Sequence, residues 1–131
     1  MTRSSAVGPS LNAVVIYHRD SLAGAAAAAV LERRGVARVA TAVTSHAALL
    51  SKLHFGIDVV VVFGGGAETR EFFQALGRRG LAVPVLMVVD RLDPECAAEA
   101  LEWGAAGVIP SSCPPLALCG AVLGARAGRV V

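Results

Sequence analysis

The chain has 131 residues and a formal net charge of +2, and 55% of its residues are hydrophobic. This length fits one domain with a sizeable core, and the composition excludes a disordered protein. All but one of the 12 basic residues are arginines. Because they are scattered along the chain, they indicate a G+C-rich bacterial coding sequence rather than a surface that binds nucleic acid.

Neither a signal peptide nor a membrane span is predicted. The longest apolar run, at 22–31, is alanine-rich and well short of the roughly 20 residues that a span needs. The cysteines Cys96, Cys113 and Cys119 are odd in number and lack a metal-binding spacing. We therefore expect a cytoplasmic protein with reduced thiols, no bound metal and no membrane contact.

Short valine-rich runs alternate with helix-forming segments along the chain. In chain order we predict strand 12–17, helix 22–34, strand 38–43, helix 45–55, strand 58–63, helix 68–79, strand 83–89, helix 94–103, strand 107–110 and helix 114–127. Ser21, Ser45 and Asp93 are predicted helix caps, and Gly35 and Gly56 are predicted to end the first two helices.

This alternation predicts the fold class. Continuous apolar strands separated by helices are typical of a parallel sheet with helices on both faces. We predict an α/β protein of (βα)5 flavodoxin-like type, a three-layer sandwich around a five-stranded parallel sheet. The strand at 58–63 is the most hydrophobic and is predicted to be central. Residues 1–11 are predicted to be a flexible leader, and 12–131 a single domain.

Several stretches resemble the receiver domain of two-component response regulators, in the LuxR/NarL-type group that carries a helix-turn-helix after the receiver. Residues 57–63 resemble its third strand, which ordinarily ends in the phospho-accepting aspartate. Residues 84–90 resemble its fourth strand, which ordinarily ends in Thr or Ser. Residues 100–109 resemble the A-L-x-x-G-A-x-G-Y-L stretch that leads into its fifth strand, and 114–128 resemble its last helix. The resemblance covers about 12–130.

Phosphorylation in the receiver family depends on five residues. All five are replaced at the corresponding positions of this chain. The acidic pair that holds Mg²⁺ in a receiver aligns with His18 and Arg19, and the nucleophile aligns with Phe63. The hydroxyl aligns with Val89, and the lysine aligns with Ser111. Because Mg²⁺ requires oxygen ligands and phosphoryl transfer requires a nucleophile, we expect a degenerate receiver with no phosphorylation and no cofactor.

Polar residues remain where the strands end, at the edge of the sheet where ligands normally bind. These residues are Tyr17, His18, Arg19, Asp20, Asp90 and Ser111. One interpretation is a small-molecule pocket in which Arg19 and His18 donate to an anion. The other is an ion pair of Arg19 with Asp20 or Asp90 and no ligand. The ion pair is favoured because partly buried charges normally find partners.

Other candidate sites are weaker. His46 and His54 lie eight residues apart on the predicted second helix without a shared metal partner, so solvent or edge positions are expected for both. Asp20, His18 and Ser111 contain the residue types of a hydrolytic triad, but no nucleophile elbow surrounds Ser111. We therefore do not expect an enzyme.

The first and last helices are rich in alanine, which indicates close packing against a neighbour. In the family, these two helices, or the fourth helix with the fifth strand and fifth helix, pair receivers into dimers. A homodimer through one of these faces is one interpretation. Simple packing of the alanines against the sheet is the other, and both remain open.

The resemblance implies an atypical receiver that controls a helix-turn-helix transcription factor through dimerisation or a small ligand. DNA contact would come only from a C-terminal domain beyond Val131, which would make this chain one part of a longer regulator. One alternative is a stand-alone module that docks on a kinase or another regulator. Another is a small-molecule-binding flavodoxin-like protein.

Overall fold

The computed structural model describes residues 12–54 and 56–128. The predicted leader at 1–11, Phe55 and residues 129–131 lie outside the described residues. Five strands and five helices alternate, and their bounds are β1 Ala13–Tyr17, α1 Ser21–Arg33, β2 Val39–Val43, α2 His46–Lys52, β3 Ile57–Phe63, α3 Ala67–Arg79, β4 Val85–Val89, α4 Pro94–Trp103, β5 Gly107–Pro110 and α5 Pro115–Arg126.

The five strands form one parallel sheet in the order β2-β1-β3-β4-β5. The predicted flavodoxin-like sandwich and the central position of β3 are confirmed. Since all strands run in the same direction, all five of their carboxyl ends meet at one edge of the sheet. Helices α1 and α5 cover one face, and α2, α3 and α4 cover the other.

The core lies on both faces of the central strands. Val59 and Val61 pack under α1 and α5, whereas Val60 and Val62 pack under α2 and α3. All four valines are fully buried. A strand covered on both faces reads as a continuous apolar run, which is why β3 was recognisable in the sequence.

All helix ends except the end of α2 lie within one residue of the predictions, and two differences have a clear structural cause. Helix α1 is capped by Asp20, whose Oδ1 accepts from the N–H groups of Leu22 and Ala23 at 3.0 and 3.4 Å. The predicted cap, Ser21, is instead the first helical residue. Helix α2 has its predicted cap, Ser45, but it ends at Lys52 because Leu53 is already extended, with ψ of 128°. The cap at Asp93 with Pro94 in the first turn is confirmed.

No helix among residues 12–54 and 56–128 is long and apolar enough to cross a membrane.

Candidate functional site at the carboxyl edge of the sheet

A crevice of about 310 Å³ lies beyond the carboxyl ends of β1, β3 and β4. Its lining consists of Tyr17, His18, Arg19, His46, Phe63, Gly64, Gly65, Glu68, Thr69, Val88 and Asp90. Five of the predicted site residues therefore come together here, namely Tyr17, His18, Arg19, Phe63 and Asp90. The crevice is the place where parallel α/β sheets usually bind ligands.

The other three predicted site residues, Asp20, Val89 and Ser111, do not line the crevice. The Asp20 carboxylate caps α1, and Val89 is buried under α4. The Ser111 hydroxyl lies 3.3 Å from Oδ1 of Asp90 and donates to it, and the Ser111 N–H donates to the Val89 carbonyl. Ser111 thus holds the end of β5 against the end of β4.

His18 and Phe63 form an aromatic pair in the crevice. Their ring centroids are 4.8 Å apart and the rings are tilted by 38°. The Nδ1 of His18 accepts from the Asp20 N–H at 2.9 Å, which orients the ring. Gly24 of α1 lies beside His18, and a Cβ at that position would stand 3.2 Å from the His18 Cβ. Glycine therefore lets α1 approach the end of β1 closely.

Arg19 is exposed and forms no ion pair with any described residue. The predicted ion pair with Asp20 or Asp90 is not formed. The reason is that both carboxylates have other partners: Asp20 accepts from the first N–H groups of α1, and Asp90 accepts from Ser111. A cation at the mouth of the crevice is left available to an anionic group.

His46 is a crevice residue that the sequence prediction missed. Its ring centroid lies 4.2 Å from that of Tyr17, and its side chain is only 17% exposed, so of the expected solvent or edge positions the solvent position is wrong. Nδ1 lies 3.4 Å from Oε2 of Glu68, but neither ring nitrogen makes a hydrogen bond within the described chain. His54 is exposed as expected, although it lies beyond the end of α2.

A sequence signal for His46 does exist in retrospect. Ser45 is a good N-cap, and its Oγ accepts from the Ala48 N–H at 3.0 Å. The residue after a cap begins the helix, here directly after β2 and therefore at the carboxyl edge of the sheet. The cap at Ser45 together with the strand order therefore indicates a crevice position for His46.

The chemistry available in the crevice is polar recognition. Among residues 12–54 and 56–128, no group of three or more His, Cys, Asp or Glu side chains is placed to hold a metal ion.

The thiols of Cys96, Cys113 and Cys119 are free. Burial raises the pKa of Cys96, and the nearby carboxylates of Asp93 and Glu99 add to that rise. Cys96 lies on α4, away from the crevice lining.

No protein-family model matches the chain, and no curated protein matches it by sequence. Solved structures do match. The signal receiver domain of the response regulator NarL from Mycobacterium tuberculosis is 25% identical, with a TM-score of 0.79, and the match covers 92% of this chain and 100% of that one.

Two further structures agree with this match. A LuxR family DNA-binding response regulator from Silicibacter pomeroyi is 25% identical, with a TM-score of 0.73, and the match covers 91% of this chain and 94% of that one. A CheY-like receiver domain protein from Methanospirillum hungatei is 16% identical with a TM-score of 0.76, over 90% and 95% of the two chains, and shows the fold alone. Together with the strand order, these comparisons show that the chain has the fold of the receiver domains of response regulators.

Proposed function

We propose that this receiver domain works without phosphorylation and regulates a helix-turn-helix transcription factor through dimerisation. The main support for the proposal is the presence of Phe63 at the end of β3, the central strand. The Phe63 ring packs against His18 inside the crevice. In the receiver pattern, this strand end carries the phospho-accepting aspartate. A phenyl ring has no nucleophilic atom to accept a phosphoryl group.

The surroundings of Phe63 support the same conclusion. Mg²⁺ binds hard oxygen ligands, but the two residues after β1 are His18 and Arg19. The fixed charge of Arg19 would repel a divalent cation at this position. Val89, at the position of the receiver hydroxyl, is buried under α4. Ser111, at the position of the receiver lysine, supplies no positive charge for the phosphoryl oxygens.

The proposed output rests on the likeness to a LuxR family DNA-binding response regulator. In our proposal, a separate helix-turn-helix domain of the regulator contacts DNA. The receiver domain determines how two copies of the regulator are brought together. Two such units on adjacent half-sites convert an assembly state into DNA affinity. The domain itself then performs no catalysis, and its free thiols fit a reducing cytoplasm.

The α1–α5 face is the proposed dimer surface. Here the α1–α5 face means the exposed residues Leu22, Ala25, Ala26, Ala29, Leu116, Ala117, Gly120 and Leu123. Leu22 and Leu116 are 78% and 64% exposed, and both lie in the first turn of their helix. Small residues between the leucines allow a second copy to approach closely. Leu92 and Leu101, on the alternative face, are less exposed than Leu22 and Leu116.

Sedimentation over a concentration series tests the proposal. Without Mg²⁺ or phosphodonor, the chain is expected to dimerise at roughly micromolar concentration, and acetyl phosphate with Mg²⁺ should leave the dimer fraction unchanged. Leu116→Glu with Leu123→Glu should give a monomer, because two carboxylates would be desolvated in the interface. Leu101→Glu, on the α4 face, is the matched control and should remain dimeric.

Three outcomes would contradict this account. Dimerisation only after addition of phosphodonor would restore an ordinary phosphorylation switch. A monomer at every concentration would remove dimerisation of this domain as its mode of action. Disruption by Leu101→Glu and not by the α5 variants would move the interface to the α4–β5–α5 face.

The unpaired Arg19 favours a second candidate function, control by a small anionic ligand in the crevice. The volume of about 310 Å³ is at the lower end for small-molecule sites. Thermal unfolding in the presence of dicarboxylates and phosphorylated metabolites would test it. A ligand that raises the melting temperature of the wild type but not of Arg19→Ala would support this function, and a screen without such a ligand would count against it.

A further inference from the structure

A second groove lies on the α2 face of the sheet, at its amino edge. It has a volume of about 570 Å³ and is formed by β1, β2, the start of β3 and the residues around the end of α2. It is separate from the carboxyl-edge crevice, because α2 begins at the carboxyl edge and runs back across the sheet. None of the residues that line one site also lines the other.

The groove exists because α2 is short. Seven helical residues reach only about 10 Å, whereas the five-residue strands beneath reach about 16 Å. Helix α2 therefore covers the carboxyl-edge half of β1 and β2, where Val43 belongs to the core beneath it. Residues 12–54 and 56–128 leave the amino-edge half of this face uncovered.

The floor of the groove is apolar. Ala13 and Val15 lie on the same face of β1, because successive side chains of a strand point to opposite faces. Their register partners on β2 are Val39 and Thr41. Ile57 closes the floor on the β3 side. Val39 is 51% exposed, which is unusual for a strand residue of a doubly covered parallel sheet.

The rim of the groove is basic. Arg38, Lys52 and His54 line it and are exposed, and none of them forms an ion pair with a described residue. No carboxylate is among the described residues that line the groove. The acids that contact these strands are already bonded: Asp58 accepts from the Ala13 N–H at 3.0 Å, and Glu32 accepts from the Ala40 N–H at 2.8 Å.

We propose that this groove binds a small amphipathic carboxylate. The apolar body lies along Ile57 and Val39, and the carboxylate pairs with Arg38 and Lys52 at the rim. The volume is in the range of small-molecule sites, and their usual lining is apolar with a few charged groups that fix orientation. An added peptide strand fits less well, because Glu32 already occupies the Ala40 N–H on the edge strand. The proposal does not depend on the absence of phosphorylation.

Titration of the ¹⁵N-labelled chain with octanoate, followed by NMR, tests the proposal. Saturable shifts are expected at the amides of Val39, Thr41 and Lys52. Octylammonium and acetate are the matched probes, since the first reverses the charge and the second lacks the apolar body. Both should bind at least tenfold more weakly than octanoate.

Charge-reversal variants locate the site. Arg38→Glu combined with Lys52→Glu should weaken octanoate binding by at least tenfold, which corresponds to about 1.4 kcal/mol. Arg78→Glu, an exposed residue in the last turn of α3, is the control and should bind as the wild type does. Well-dispersed spectra of all variants confirm that they are folded.

The proposal is overturned by any of four results. Octanoate causes no saturable shift in the groove, or octylammonium binds equally well. A third such result is that the largest shifts occur at Leu92, just before α4, and Leu101, on α4, instead of on β2. An acidic peptide, and not octanoate, competes for the Arg38 and Lys52 rim.

Discussion

The two edges of the sheet use their charged side chains differently. At the amino edge, Asp58 accepts from the Ala13 N–H, and Arg126 donates to the Val36 carbonyl at 2.7 Å. The Arg126 Nε lies 3.9 Å from the Asp58 carboxylate, so α5 is tied to the starts of β1 and β3. At the carboxyl edge, Arg19 has no acidic partner within the described chain. Asp58 and Arg126 therefore stabilise the fold at the amino edge, whereas Arg19 contributes little to it.

The burial of the two arginines explains this difference. The side chains of Arg126 and Asp58 are 21% and 15% exposed, and partly buried charges without partners would be costly. Arg19 is exposed, so it can remain unpaired at little cost. An exposed cation that stabilises nothing, beside an aromatic pair in a crevice, is more easily explained by binding or by exclusion of a metal ion than by folding.

Substitution of the two arginines gives the largest expected difference. Arg126→Ala removes a hydrogen bond from a charged donor and leaves the Val36 carbonyl without that partner, so the free energy of unfolding should fall by about 2 kcal/mol. Arg19→Ala should change it by less than about 0.5 kcal/mol. Urea unfolding measures both values. Equal losses would show that Arg19 is also structural and would erase the difference between the edges.

Within the carboxyl edge, Asp20 is expected to be structural although its neighbour Arg19 is not. Asp20→Ala removes the cap of α1 and should cost about 1 kcal/mol of unfolding free energy. Ser21→Ala is the matched control and should stay within about 0.5 kcal/mol. A larger loss at Ser21 than at Asp20 would mean that the helix begins one residue later than described.

These two residues illustrate what the sequence could predict. Asp20 and Ser21 are adjacent, and both are good caps, so composition alone does not choose between them. The choice follows from the Asp20 backbone, which is extended with ψ of 112°, and from its carboxylate, which reaches the first helical N–H groups. The cap at Asp93 was predictable because Pro94 fixes the first helical position.

The fold was more predictable than the site. Valine-rich runs identify buried strands by themselves, and alternation with helices fixes a parallel sheet. The positions of Phe63 and Arg19 follow from the strand ends. The burial of His46 and the missing partner of Arg19 depend on how side chains from separate elements meet. The early end of α2 was also not predictable. Leu49, Leu50 and Leu53 have the spacing of one helix face, but the backbone is already extended at Leu53.

His46 provides the smallest expected effect. Its ring nitrogens are buried without hydrogen bonds in the described chain, while the ring packs near Tyr17 and Phe72. His46→Phe keeps the aromatic contacts and removes two unsatisfied polar atoms. It should raise the free energy of unfolding by about 0.5 kcal/mol, whereas His54→Phe, at an exposed position, should not. A decrease of more than about 1 kcal/mol in the free energy of unfolding would show that the His46–Glu68 contact stabilises the fold.

The intact mass of the chain after incubation with Mg²⁺ and acetyl phosphate tests the central claim most directly. A receiver domain with the complete acidic pocket serves as the positive control and should gain one phosphoryl group. The present chain should keep its mass, because Phe63 offers no acceptor and Arg19 opposes the metal ion. A stable adduct of one phosphoryl group would contradict the claim and would show that another residue accepts the phosphate.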